Sequence, residues 1–185
     1  KRQMNFSRPL ADIIIECSPN IEYGGALSFT TGYNRYWIEE DGVRKNVDIV
    51  GVSKFNGNAL KVFGFEAVEG SLDDIIDYNT LAVSETIAKR FGLEVGMTLG
   101  YEEQKDIRTI KAIFKDMPEN SHLRDIQVLR NLGNDGIDDF SEWGYNYFVM
   151  MYDPSQAKDM ARELSSVTAE FLQEKYFSAL PSAEE

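Results

Sequence analysis

One histidine, one cysteine and 31 carboxylates against 19 basic residues are the material from which this 185-residue chain could build a reactive or metal-binding site. His122 follows Ser121, but sequence neighbours seldom face each other as nucleophile and base. His122 therefore reads as a loop histidine that bonds to hold a turn. A single histidine excludes a histidine-rich metal site, and a lone Cys17 excludes an intrachain disulfide or a cysteine-based zinc site. Cys17 falls on the apolar face of an expected helix, the pattern of a buried structural thiol rather than a reactive one. The acid pairs Glu39-Glu40, Asp73-Asp74 and Asp138-Asp139 could in principle serve a glycosidase, yet with so many acids they arise by composition and read as solvated surface. The run Asn134 to Asp139 lacks the alternate-position oxygen ligands and closing Glu of a calcium loop. There is no GxxxxGK and no GxGxxG, so nothing in the chain suggests an ATPase. No catalytic, cofactor-binding or metal-binding residue is expected, and the chain reads as a non-enzyme.

The elements that would carry these side chains are legible from spacing. Ser7 and Pro9 suit the start of a helix, with Leu10, Ile13, Ile14 and Cys17 on one face, stopped by Pro19. Ala26 to Glu39 reads as an aromatic-rich strand whose surface could line a binding groove, and core packing is the default for it. Asp41-Gly42 predicts a tight hairpin into a strand through Val43, Val47, Ile49, Val50 and Val52. Asn56 is expected to cap a short helix through Leu60 and Phe63, closed by Gly64. Thr80 to Val83 is β-prone. Ser84 can cap a helix with Ile87, Ala88 and Phe91 inward, ended by Gly92. Residues 97–103 and 107–115 look like paired strands around a polar turn at 104–106. Residues 116–123 form a turn-rich loop, and 131–142 an acidic, exposed excursion. Tyr145 to Tyr152 is apolar on both faces and should be a well-covered strand. Asp153-Pro154-Ser155-Gln156 opens as a capping box, and Ala157, Met160, Leu164, Val167 and Phe171 mark one amphipathic helix of about five turns.

Composition bounds the class. The chain is 43% apolar and 12% aromatic, too rich for disorder, and carries a net charge of −12 that repels nucleic acid and anionic membranes alike. No apolar run approaches the roughly 20 residues of a membrane helix, so the chain reads as soluble and globular. It opens Lys1-Arg2-Gln3, without an initiator Met or signal peptide, and is expected to be a segment of a longer protein.

The middle of the chain is the most distinctive part. Phe63-Gly64-Phe65-Glu66 leads to Glu69-Gly70-Ser71-Leu72, then to Val83-Ser84-Glu85-Thr86-Ile87-Ala88-Lys89-Arg90-Phe91-Gly92. Val95-Gly96-Met97-Thr98-Leu99 follows, and later Asp116-Met117-Pro118-Glu119-Asn120-Ser121-His122. Over about 60 residues this order resembles the MacB-like periplasmic core domain of FtsX-type ABC transporter permeases. The positions that carry the likeness are Ser84, Glu85, Ala88, Phe91, Gly92, Gly96, Asp116, Pro118, Asn120, Ser121 and His122. Their chemistry is that of caps, helix packing and turns, so the motif reads as structural.

The resemblance implies an α+β, two-lobed fold. A porter-like α/β lobe would come from both chain ends, residues 1–75 and 140–180. An inserted α+β, Sabre-like lobe would span 76–139, with 181–185 as a tail. It further implies an extracytoplasmic (periplasmic) domain of an inner-membrane permease of the MacB/LolE/FtsX type. ATP would be hydrolysed on a separate cytoplasmic ATPase subunit, with no cofactor in this chain. That hydrolysis would be coupled to export, lipoprotein handling or mechanotransmission. Implied partners are a second permease copy or homologue, flanking membrane helices and a periplasmic adaptor or envelope protein. The alternative is an extracytoplasmic ligand-binding or sensor domain for peptide or lipid.

Overall fold

A computed structural model describes residues 6–101, 106–134, 136–139 and 144–176, with the backbone alone at 11–12, 29–33 and 175–176. In chain order the helices are α1 (Ala11–Glu16), α2 (Ala59–Val62), α3 (Glu85–Phe91) and α4 (Ala157–Phe171). The strands are β1 (Ile21–Glu40), β2 (Val43–Phe55), β3 (Ala67–Gly70), β4 (Thr80–Ser84), β5 (Thr98–Tyr101), β6 (Asp106–Phe114), β7 (Val128–Asn131) and β8 (Tyr147–Met151). The fold is therefore mixed α+β, as expected.

Contacts divide the chain into two units, each discontinuous. Residues 27–56 and 63–133 form one, and 1–26, 57–62 and 134–185 the other. This differs from a division at 75/76 and 139/140, because residues 27–56 pair with partners late in the chain. The proposed tail 181–185 lies outside the described residues.

The strands of the 27–133 unit close on themselves. Asp41 (φ 52°) and Gly42 (φ 74°) both take the left-handed conformation of a type I′ turn, which folds β1 onto β2 as an antiparallel hairpin. β2 then runs parallel to β7, β7 antiparallel to β4, β4 parallel to β6, β6 antiparallel to β5, and β5 antiparallel to β1. Six strands thus each find two neighbours, which removes the exposed edges an open sheet would leave. β3 extends the β5 side of β6 at its far end. The narrowest seam is β1 with β5, held by Tyr36 opposite Tyr101 and Trp37 opposite Gly100. Trp37 needs that glycine: a Cβ at Gly100 would sit 2.0 Å from the indole.

Residues of alternating parity fill the core of this unit. Tyr36, Ile38, Val47, Ile49, Leu81, Leu99, Ile110 and Val128 are all buried in it, and Ile87, Ala88 and Leu93 from the α3 region join them. The strands at 67–70 and 128–131 were not anticipated from the sequence. β7 is almost wholly buried, between β2 and β4.

In the other unit the first six residues of β1 pair with β8, Ile21 through Ala26 against Met151 to Tyr147. Leu10, Ile14, Ala26, Ala59, Leu60 and Tyr145 are its buried apolar residues. Gly24 lies under Ile15, whose Cγ1 would be 2.7 Å from an added Cβ, and its carbonyl accepts from the Asn58 N–H at 3.0 Å. Asn20 ties the end of β8 to α4: its Nδ2 donates to the Asp153 carbonyl and its Oδ1 accepts from the Asp153 N–H, both at 2.9 Å.

Three expectations are corrected here. Ser7 does not cap the first helix through its side chain. The chain enters through a 3-10 turn at Arg8–Leu10, the Leu10 N–H reaches the Ser7 carbonyl at 3.2 Å, and the Ser7 hydroxyl is buried with no hydrogen-bond partner among the described residues. Every residue of β8 is half-buried rather than well covered, because β1 is the strand that pairs with it. The short helix after β2 starts at Ala59, where the Asn58 carbonyl accepts from Lys61 and Val62, so Asn58 rather than Asn56 stands at its head.

Candidate functional site

The two halves of the distinctive motif meet at the head of α3. Ser84 ends β4 in an extended conformation (φ −70°, ψ 155°), and its Oγ accepts from the Ile87 N–H at 3.4 Å, so it caps the helix. Its own N–H donates to the Gln127 carbonyl at 2.9 Å, which anchors the cap to the segment leading into β7. Thirty residues after Thr86, Asp116 leaves the end of β6 and reaches back. Asp116 Oδ2 accepts from Thr86 Oγ1 at 2.7 Å and Oδ1 accepts from the Thr86 N–H at 3.4 Å. A carboxylate beside free helical N–H groups is favoured by the helix dipole as well as by the hydrogen bonds.

The remaining motif residues shape the same region. Glu85 accepts from Lys89 Nζ at 2.6 Å one turn on, which raises the Lys89 ammonium above its ordinary pKa. Ala88 is buried under the strands, and Phe91 packs at the edge of the core beneath Arg90, whose guanidinium carbon lies 5.1 Å from the ring centre. Gly92 (φ 66°) ends the helix, and the Leu93 N–H returns to the Ala88 carbonyl at 2.9 Å, a Schellman-type closure. Gly96 (φ 94°) donates its N–H to the Ile110 carbonyl at 2.8 Å. Pro118 and Ser121 close the loop: the Ser121 N–H reaches the Pro118 carbonyl at 2.8 Å, and Ser121 Oγ accepts from the Leu123 N–H at 3.1 Å. Asn120 and His122 are exposed, and the His122 ring meets Phe63 edge-on at 6.2 Å. Ser121 thus spends its hydroxyl on a turn rather than on His122.

A cavity of about 270 Å³ lies beside this node, lined by Phe63, Glu66, Lys115, Asp116, Met117 and Pro118. Glu66 and Lys115, both in its lining, form an ion pair at 3.8 Å. That volume is below the roughly 300–1,000 Å³ of sites that enclose a small organic ligand.

Cys17 is half-buried, and burial together with the charge of Glu163 holds its thiol above the ordinary pKa. The acids Glu39, Glu40, Asp73, Asp74, Asp138 and Asp139 are all exposed; Glu40 pairs with Lys45. Asp135 and Glu142 of the acidic excursion lie outside the described residues. Among the described residues, no three His, Cys, Asp or Glu side chains gather as metal ligands would, and no helix is long and apolar enough to cross a membrane.

A second cluster was invisible to the sequence reading. Arg108 is fully buried and Arg130 is 7% exposed. Arg108 donates from Nε to the Tyr78 carbonyl at 3.1 Å and from Nη2 to Asp106 Oδ2 at 3.0 Å. The same Asp106 oxygen accepts from the Tyr78 hydroxyl at 2.6 Å. Both guanidiniums lie against the Tyr78 ring, at 4.3 Å for Arg108 and 4.9 Å for Arg130, and Arg108 is also 5.5 Å from the Tyr101 ring centre. Tyr36, fully buried, packs its ring 5.1 Å from Tyr101. Its hydroxyl sits in the field of both arginines, yet burial wins and its pKa is raised. The signal that could have revealed the cluster is parity: Arg108 and Arg130 each stand two residues from a core position, Ile110 and Val128.

Comparison with known proteins follows the fold rather than the sequence. No family model matches the chain, and no curated protein matches it either. Its structure is similar to the crystal structure of a domain assigned to a permease protein from Porphyromonas gingivalis. The TM-score is 0.76 at 19% identity, over 90% of this chain and 78% of that one. At that identity the likeness is one of fold.

Proposed function

We propose that this chain is the extracytoplasmic domain of an ABC transporter permease of the MacB/LolE/FtsX type, and that it works by transmitting force or gating a partner rather than by catalysis. The observation that carries the reading is the agreement of two independent lines. The motif from Ser84 to Gly92 and Asp116 to His122 resembles the periplasmic core domain of such permeases, and the fold is similar to that of a permease-assigned domain. The geometry supports a structural use of that motif. Asp116 and Ser84 spend their polar groups on the first turn of α3, tying it to the ends of β6 and β4, and Ser121 spends its hydroxyl on a local turn.

On this reading ATP is hydrolysed by a separate cytoplasmic subunit. The stroke reaches the domain through flanking membrane helices, in a permease dimer working with an envelope or adaptor protein. The domain itself would need no cofactor. The test is to express the complete native gene with reporter fusions on either side of this segment. Hydrophobic stretches of about 20 residues on both sides, with the domain reporter active only outside the cytoplasm, are the expected result. Flanks without such stretches, or a domain reporter active in the cytoplasm, overturn the reading.

A further inference from the structure

The end of the closed strand ring in the 27–133 unit holds more positive charge than its surroundings answer. Cross-strand register places its residues on one face. Tyr36 stands opposite Tyr101 on the β1–β5 seam, and Arg108 stands opposite Leu99. Arg130 stands opposite Leu81, which in turn stands opposite Ile110. Directly paired residues project to the same side of a sheet. Leu81, Leu99 and Ile110 are core, so both arginines and Tyr36 point inward with them.

Three polar atoms there make no hydrogen bond of good geometry among the described residues: Arg108 Nη1, Arg130 Nε and the Tyr36 hydroxyl, although the Arg130 guanidinium lies close enough to the Tyr36 hydroxyl to favour its ionised form. Arginine cannot shed its charge to escape burial. Among the described residues the carboxylate bonded in this cluster is Asp106, which Arg108 and Tyr78 already share. Arg130 has no ion-pair partner among the described residues. In a chain of net charge −12, with abundant acids to spare, an unneutralised buried guanidinium is costly and calls for a counter-charge.

We infer that this end of the ring binds one small oxyanion, a phosphate or carboxylate group, held by Arg108 Nη1, Arg130 Nε and the Tyr36 hydroxyl. Two N–H donors and one O–H, carried on three strands whose register turns all three side chains to the inner face, match an anion with several acceptor oxygens. Tyr78 is the door. Its ring covers both guanidiniums while 40% of the residue faces solvent, and its hydroxyl latches onto Asp106. The inference stands on this cluster alone and is independent of the permease reading.

The test titrates the 185-residue chain with inorganic phosphate, with acetate and with a short-chain soluble phosphatidic acid, at constant ionic strength against chloride. Thermal unfolding and the Arg Nε–Hε signals are the readouts. A saturable rise in Tm, with the Arg108 and Arg130 side-chain signals shifting at the same midpoint, is expected for at least one anion. The strongest of the three names the source: free phosphate, carboxylate or lipid headgroup. Tyr36→Phe removes only the hydroxyl, so the chain should fold, yet bind about tenfold more weakly, as losing one hydrogen bond to a charged ligand does. Arg130→Lys keeps the charge but loses the fork, and should weaken binding comparably. No response beyond chloride for any of the three, or unaltered binding in Tyr36→Phe, overturns the inference.

Discussion

Replacing Asp116 by alanine isolates what the meeting of the two motif segments is worth. Two effects are lost together. The Thr86 hydroxyl loses a charge-assisted acceptor at 2.7 Å, and the first turn of α3 loses a carboxylate at its positive end. The Thr86 N–H contact at 3.4 Å is long and adds little. Because Asp116 is exposed, the hydrogen bond counts below the roughly 1.5–3 kcal/mol of bonds to charged groups, at about 1 kcal/mol. The charge–dipole part adds about 0.3–1 kcal/mol. Asp116→Ala should therefore cost about 1.5 kcal/mol, and Asp116→Asn, which keeps an acceptor but not the charge, about half of that. Urea unfolding gives the global value, and hydrogen exchange at the Ile87 and Ala88 amides reads α3 directly. Thr86→Val completes a double-mutant cycle, with a coupling energy near 1 kcal/mol expected between the two positions. A coupling energy of zero would refute the reasoning, and so would an Asn variant as unstable as the Ala variant in high salt, where the dipole contribution is screened.

Three further outcomes follow from the same geometry. Gly51→Ala should destabilise by about 3 kcal/mol or more, since the new Cβ would lie 1.7 Å from the Asp125 carbonyl oxygen, beside the Gln127 N–H bond to Gly51 at 2.8 Å. Gly64→Ala, at φ 67° with open space around it, should cost only about 1 kcal/mol, and equal losses by denaturant titration would contradict the clash. Asp153 is held below its ordinary pKa chiefly by Ser155 and by Gln156, so its carboxylate supports the start of α4 above the unfolded value near 3.8. That support is lost as pH falls through the lower folded value, so the protection of the Ser155 amide, its exchange rate relative to the intrinsic rate at each pH, should fall on acidification in the native chain but stay constant with pH in Asp153→Asn. Cys17, with its thiol raised by burial and by Glu163, should react with iodoacetamide more slowly than a free cysteine at pH 8. Glu163→Gln should speed that reaction modestly, and an unchanged rate would remove the acid from the account.

Local chemistry was readable wherever one residue decides it. Asp41-Gly42 could make only a tight turn, Ser84 and Gly92 bracket α3, and the strands at 98–101 and 106–114 alternate clearly. Where a strand exists only because of its partners, spacing is silent. Val128–Asn131 carries no alternation, and its strand is created by β2 on one side and β4 on the other. Ala67–Gly70 is exposed throughout and is held by β6, with Gly70 so close to the Lys111 carbonyl that a Cβ would sit 2.1 Å away. The motif was visible as a string, but the reach of Asp116 back to Thr86 was not. Charge misled most: arginines in a sequence read as surface, while Arg108 and Arg130 point into a core.

The interleaving of the two units sets an order in which they can be made. The 27–133 unit needs nothing after Gly133, and its ring closes once β7 can lie beside β2, joining Val52 to Val128. The other unit draws on residues 1–26 and 57–62, and its strand β8 lies at 147–151, so it waits until β8 has been made. On a ribosome the inner segment can fold first while Ile21 to Ala26 hang unpaired, an exposed strand segment in search of a neighbour. Any chaperone or membrane surface that shields this chain during biogenesis has that short interval, and that stretch of β1, to protect.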